Sequence, residues 1–392
     1  LGLLAYFKYG RFLMDNFTVF LHFAGISFKP RPMDIILPIG ISFYTFQTLS
    51  YTFDVYRGRI KPWPSLLDYT LFVTFFPHLV AGPIMRAEDL LPQFEKPKKA
   101  TANQIGWGLV LLVVGLFTKM VMADAIFSGI AAKLYDSAQR PGFSGAWAGT
   151  FAFAMQIFCD FSGYSTCAIG TALALGFEFP DNFRFPYAAV GFSDFWRCWH
   201  ITLSNWLRDY IYIPFGGNRK GSIRTYANIL MTMLLGGLWH GASWMFVIWG
   251  GLHGFFLATE RWIRQRRFTA YPFWKKGITQ FFLTCGTFLC VCLTWVFFRA
   301  PNLGRARVIL AAMLGRHGLT PRWIGLTPSM EYGVFGLTIA ILFLHFKLKN
   351  RSFREVFENI PWWFQGSLVG VMIFGILLSI AKDDRAFIYF QF

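Results

Sequence analysis

The stretch ILMTMLLGGLWHGASWMFVIWGGLHGFFLAT, residues 229–259, decides the fold class. It holds no Asp, Glu, Lys or Arg, and it exceeds the roughly 20 apolar residues a helix needs to cross a hydrocarbon core. Comparable runs lie at 105–127, 146–176, 280–298, 332–346 and 364–381. In lipid every backbone N–H and C=O must be satisfied within the protein, and these runs are too continuous for the ten-residue alternation of an outer-membrane barrel. The spans are therefore helices, about eight to eleven of them by segment length.

Composition agrees. Hydrophobic residues make up 55% of the chain and aromatics 20%, while only 15% is charged; mean hydropathy is +0.44. That balance excludes an ordinary soluble globule. The net charge of +17 is concentrated in the loops, which points to anionic lipid rather than nucleic acid. The densest basic run, Arg261, Arg264, Arg266, Arg267, Lys275 and Lys276, follows the quoted stretch and is predicted to be cytoplasmic by the positive-inside bias. The six Cys show no regular spacing, so neither a disulfide framework nor a zinc site is expected.

No linker or low-complexity tract divides the chain, and 1–392 reads as one membrane-embedded domain. It opens on Leu1 within an apolar stretch, which leaves room for N-terminal helices upstream. Pro and Gly interrupt it at Leu37-Pro38-Ile39-Gly40, Phe76-Pro77, Gly82-Pro83 and Phe185-Pro186. Broken helices at membrane depth are tolerated only against protein or a water-filled cavity, so a cavity is expected. The segment 181–224 is too charged to span. The spacing of Phe195, Trp196, Trp199, Leu203, Trp206 and Leu207 predicts one short amphipathic helix there, capped by Ser193 or Asp194 and ended by Pro214 to Gly217.

His240 sits in the quoted stretch beside Gly236, Gly237 and Gly241, small residues that would leave room for a substrate. An ionisable residue at membrane depth is a functional hypothesis by default. The plain alternative is a neutral ring bonded to a neighbouring helix, which suits His253, further along the same predicted helix, better. His200, in FWRCWHITLS, also fits an interfacial aromatic belt. Neither His200 nor His240 has a ligand partner at i+3 or i+4, so no metal is expected. Ser162 lies in no nucleophile elbow; Ser162 and Asp160 are expected to pack or to line the cavity. His22, His78, His317 and His345 stand without a constellation, although His78 precedes the Leu-Val-Ala-Gly-Pro turn and is placed to cap or line the pathway.

Five stretches carry a resemblance: LPIGISFYTFQTLSYTFDVYRG (37–58), FFPHLVAGPI (75–84), DFSGYSTCAIG (160–170), FWRCWHITLSNWLRDYIYIPFGGNR (195–219) and LLGGLWHGASW (234–244). With them the chain resembles the membrane-bound O-acyltransferase family over nearly its whole length. It is most similar to the bacterial branch that O-acetylates polysaccharides, whose relatives include teichoic-acid D-alanyl transfer proteins. A tail like FIYFQF (387–392) belongs to the same likeness, whereas Thr166-Cys167 and Cys198 depart from alginate-type sequences and leave the polymer open.

The resemblance implies an all-α integral membrane bundle with short, broken and interfacial helices around a funnel. It implies catalytic roles for His240 and His200, with Trp199, Trp239, Asp160, Ser162, Asn205 and Arg208 assigned to substrate. On this reading His240 is the general base for an incoming hydroxyl and His200 positions or polarises the acyl carbonyl. No cofactor is expected to be bound. The substrate would be an acyl donor such as acetyl-CoA or an acyl-carrier thioester, and the group would pass to an exported polysaccharide through an SGNH-type partner outside a bacterial inner membrane. D-alanyl transfer from a carrier protein and a non-enzymatic transporter are the alternatives; a transporter would usually show inverted repeats, and none is visible.

Overall fold

The computed structural model describes residues 1–30, 35–266, 271–316, 318 and 325–380. His317, Arg267 and the FIYFQF tail lie outside the described residues. Everything described is helix or connection, with no strand. Among the described residues, four helices have the length and apolar composition to cross a membrane: Ala102–Tyr135, Gly277–Arg299, Pro328–Leu348 and Trp362–Ile380.

The bundle is organised on the helix Phe143–Ala174, which is rich in Gly and Ala and buries much of its length. Small residues let helix backbones approach closely in a bilayer, where dispersion contacts drive association. A Cβ on Gly108 would stand 2.6 Å from the Gly170 carbonyl oxygen, and one on Gly115 2.6 Å from that of Gly163. The helix Ala102–Leu116 widens into a π-helical stretch at Phe117–Ser128. There Lys119 pairs with Asp124 at 2.9 Å and, across the interface, with Asp160 at 2.6 Å.

The stretch 229–259 is two helices rather than the single one its composition predicts. Gly221–His240 ends at His240, and Trp244–Arg264 begins after a turn in which Gly241 is extended and the Ser243 side chain accepts from the Met245 N–H. His253 is therefore on the second helix of a tight pair. A Cβ on Gly237 would stand 2.2 Å from the Phe246 carbonyl oxygen, and one on Gly250 2.2 Å from that of Met233. A Cβ on Gly241 would meet the Phe246 ring at 2.2 Å. The glycines flanking His240 thus bring backbone and ring against one another; they do not open a space for substrate.

The segment 181–224 likewise holds two short helices in place of one. Phe192–Cys198 stops at Trp199, His200 turns the chain in a left-handed conformation at φ 43°, and Ile201–Leu207 continues into a π turn at Arg208–Tyr212. The first helix is capped by Gly191 rather than by Ser193 or Asp194. Asp194 instead accepts from the Val190 N–H and pairs with Lys349 at 2.7 Å.

Candidate active site at the end of the Gly221–His240 helix

His240 closes its helix with 5% of its surface exposed. Aromatic rings stand edge-on to the imidazole, among them Trp239 and Trp249 at 5.0 Å between centroids and Phe298 at 5.4 Å. The open side of this group is a cavity of about 230 Å³ lined by Trp239, His240, Ser42, Phe43, Lys8 and the broken chain at 37–41. The break is enforced at Gly40, whose φ is +75° and whose Cβ would lie 2.7 Å from the Leu79 carbonyl oxygen. Positive φ together with that approach admits glycine and little else. The irregular backbone expected beside a cavity is thus at the cavity wall.

His200 is wholly enclosed. It stacks on Phe43 at 6.4 Å and stands against Trp239 at 6.0 Å, so both histidines pack against the same indole. Its protonation pattern follows from its neighbours. The oxygen Oδ1 of Asn182 accepts from the Thr202 backbone N–H at 3.3 Å and lies 2.9 Å from Thr202 Oγ1, while Asn182 Nδ2 donates to Ser165 Oγ at 3.0 Å. A backbone N–H can only donate, which fixes the orientation of the Asn182 amide. His200 Nδ1, 3.1 Å from the same Oδ1, must then carry the proton. Neutral imidazole holds one proton, so Nε2 carries a lone pair; it is buried with no partner among the described residues. Such a nitrogen accepts a proton or hydrogen bond, and it offers none with which to polarise a carbonyl.

The other assigned residues divide. Trp239 lines the cavity, and its indole N–H has no partner among the described residues. Asn205 and Arg208 line a second cavity of about 480 Å³, together with Arg197, Arg261, Trp196 and Met233. Trp199, Asp160 and Ser162 reach neither cavity. Trp199 is fully buried, with Phe183, Phe195 and Trp295 around it. Asp160 serves the ion pair with Lys119, and the Ser162 carbonyl accepts from Thr166 Oγ1. His253 accepts from Trp196 Nε1 at Nδ1 and, in the resulting tautomer, donates from Nε2 to Thr294 Oγ1, which makes it a satisfied core histidine. His78 is enclosed by Phe72, Phe75 and Phe179, with Nε2 at 3.1 Å from the Phe72 carbonyl. His345 packs on Phe158 and Tyr187.

Two residues of this region carry no sequence signal of their own. Asn182 stands 18 positions before His200, in a stretch read only as polar. Lys8 sits in an N-terminal helix, where a basic residue ordinarily reaches for the interface; its Nζ instead lies in the cavity wall.

The sequence matches the profile of the membrane-bound O-acyltransferase family over residues 59–298. It is 42% identical to the probable alginate O-acetylase of Pseudomonas putida, over 80% of this chain and 62% of that protein. Against the peptidoglycan O-acetyltransferase of Helicobacter pylori it is 33% identical over 100% of the chain and 80% of the relative. The teichoic acid D-alanyltransferase of Bacillus subtilis is 26% identical over 68% of the chain and 70% of the relative. The chain spans about three fifths of the length of several alginate O-acetylase relatives it matches.

Proposed function

The chain belongs to the membrane-bound O-acyltransferase family, and on that premise we propose that it moves an acyl group, acetyl in the first instance, from a cytoplasmic donor to an exported polysaccharide. The observation that carries this reading is the placement of His240 at the wall of a cavity, at the end of a helix. The imidazole takes the proton of an acceptor hydroxyl as its oxygen attacks the acyl carbonyl, a role worth about 10²–10⁴-fold in rate. Aromatic walls keep bulk water from competing for the acyl group.

His200 supports the same centre from behind Phe43 and Trp239. Its lone pair at Nε2 makes it a second proton acceptor near His240, so carbonyl polarisation falls to another group. The cavity with Arg197, Arg208 and Arg261 suits a donor that carries phosphates, as acetyl-CoA and a phosphopantetheine thioester both do. On this reading it sits in the cytoplasmic membrane and an SGNH-type transferase completes acetylation outside; the basic loop after residue 260 and the exported polymers that the relatives' names mention support that placement.

Mass spectrometry of envelope polysaccharide from cells with and without the protein tests the proposal. Acetyl esters that disappear with the protein support it. D-alanyl esters that disappear instead would transfer the reading to D-alanylation, and an unchanged polymer would remove acyl transfer altogether.

A further inference from the structure

Lys8 is the cation of the His240 cavity. Its Nζ donates to Ser42 Oγ at 2.7 Å and to the carbonyl oxygen of Trp239, the residue before His240, and it lies 5.5 Å from the centroid of the Trp239 ring. No carboxylate pairs with it among the described residues, and neither Asp nor Glu lines the cavity. Some partly buried cations of the bundle are neutralised, Lys119 by two aspartates and Arg86 by Asp209; Lys133 and Arg305, like Lys8, bond backbone carbonyls instead, but neither lines the His240 cavity. An ammonium has three N–H donors, of which two are taken here. A cation held in apolar surroundings without a counter-charge is unfavourable and tends to lose its proton, unless a ligand that carries or develops negative charge holds it in the charged form.

We propose that Lys8 is a catalytic residue, whose remaining N–H receives the acyl carbonyl oxygen and stabilises the negative charge that forms there. The proposal rests on the acyl-transfer reading of the His240 cavity. In the step, the acceptor hydroxyl oxygen forms a bond to the acyl carbon as its proton passes to His240. The carbonyl π pair moves onto oxygen, where it meets the ammonium. That pair then returns, the carbon–sulfur bond of the thioester breaks, and the leaving thiolate takes the proton from His240. Lys8 stays protonated throughout. Donors fixed in advance where charge develops need no reorganisation during the reaction, and losing one such donor lowers turnover by about 10²–10³-fold. Because His200 presents a lone pair rather than an N–H, Lys8 fills the electrophilic position that a second histidine would otherwise have held.

The test uses the full-length protein in membrane vesicles that also carry its extracytoplasmic SGNH-type partner, with acetyl-CoA as the donor probe and a neutral cello-oligosaccharide or an oligouronate as acceptor. Lys8→Met is expected to lower turnover at saturating donor by about 10²–10³-fold with both acceptors, while the KM for acetyl-CoA stays near its original value. Lys8→Arg, which keeps the cation, recovers part of the rate. Should Lys8→Met fail to accumulate, Lys8→Gln carries the same expectation, since its amide still donates to Ser42 and to the Trp239 carbonyl without a charge. Turnover within threefold of the original, or a loss confined to KM for the oligouronate, overturns the proposal; the second result would make Lys8 a recognition group for acidic acceptors. Inactive His240→Ala beside active Lys8→Met removes this proposal and spares the acyl-transfer reading. No transfer by the unaltered protein in vesicles, together with an unchanged cellular polymer, removes both.

Discussion

His200 keeps backbone angles of φ 43° and ψ 56°, a left-handed conformation that costs an L side chain about 1–2 kcal/mol. Non-glycine strain of this kind gathers at functional sites, and here Asn182 holds it by bonding both the ring and the next turn of chain. Asn182→Leu leaves the His200 Nδ1–H and the Thr202 N–H without an acceptor. Each buried donor left unpaired costs about 1–3 kcal/mol, so thermal unfolding in detergent is expected at a lower temperature. Imidazole 15N spectra should show the Nδ1-protonated tautomer of His200 in the original protein and in Asn182→Asp, but not in Asn182→Leu. An unchanged melting temperature and tautomer in Asn182→Leu would contradict the assignment. At this scale His240 stood out as a candidate because it is an ionisable group among apolar residues, and His200 only through the resemblance of its motif to the family. Asn182 and Lys8 did not, since their significance lies in partners 18 and 231 positions away. Trp199, Asp160 and Ser162 share motifs with the site but lie away from both cavities, and for Asp160 and Ser162 packing was one of the two expectations.

At the scale of elements, the pair Gly221–His240 and Trp244–Arg264 fixes where the His240 ring stands. The contact is set by Gly237 and Gly250, whose absent Cβ atoms would each meet a backbone oxygen at 2.2 Å. Gly237→Ala must therefore part the helices, and overpacking of this sort costs roughly 1–3 kcal/mol. Less folded protein and a lower melting temperature are expected, whereas Gly366→Ala, which meets nothing within 4 Å, should behave as the original. Equal stability of the two variants would show that the helix contact is not as close as described. Hydrophobic runs revealed that helices exist, because burial in lipid and apolar composition are one property. They concealed the breaks at Gly241 and His200, because Gly-Ala-Ser is as compatible with an apolar run as with a turn, and nothing about Trp-His marks a left-handed residue. The Pro and Gly signals at 37–40 did mark a true break, since Gly40 requires positive φ.

Over the molecule as described, a helical bundle encloses a cavity lined by His240 and an ammonium with no carboxylate partner among the described residues, and another lined by three arginines. Membrane class and family followed from composition and motif. The separation of the assigned residues into two cavities and a core did not, because sequence proximity cannot distinguish the faces of one short helix. The central claim is that His240 takes a proton during acyl transfer, and it is tested most directly by His240→Ala produced at the original level in the native membrane, with O-acetyl groups on the envelope polysaccharide counted by mass spectrometry. The account predicts that the acetyl groups disappear while the protein remains folded and inserted. An acetyl content equal to that of the original protein would contradict it.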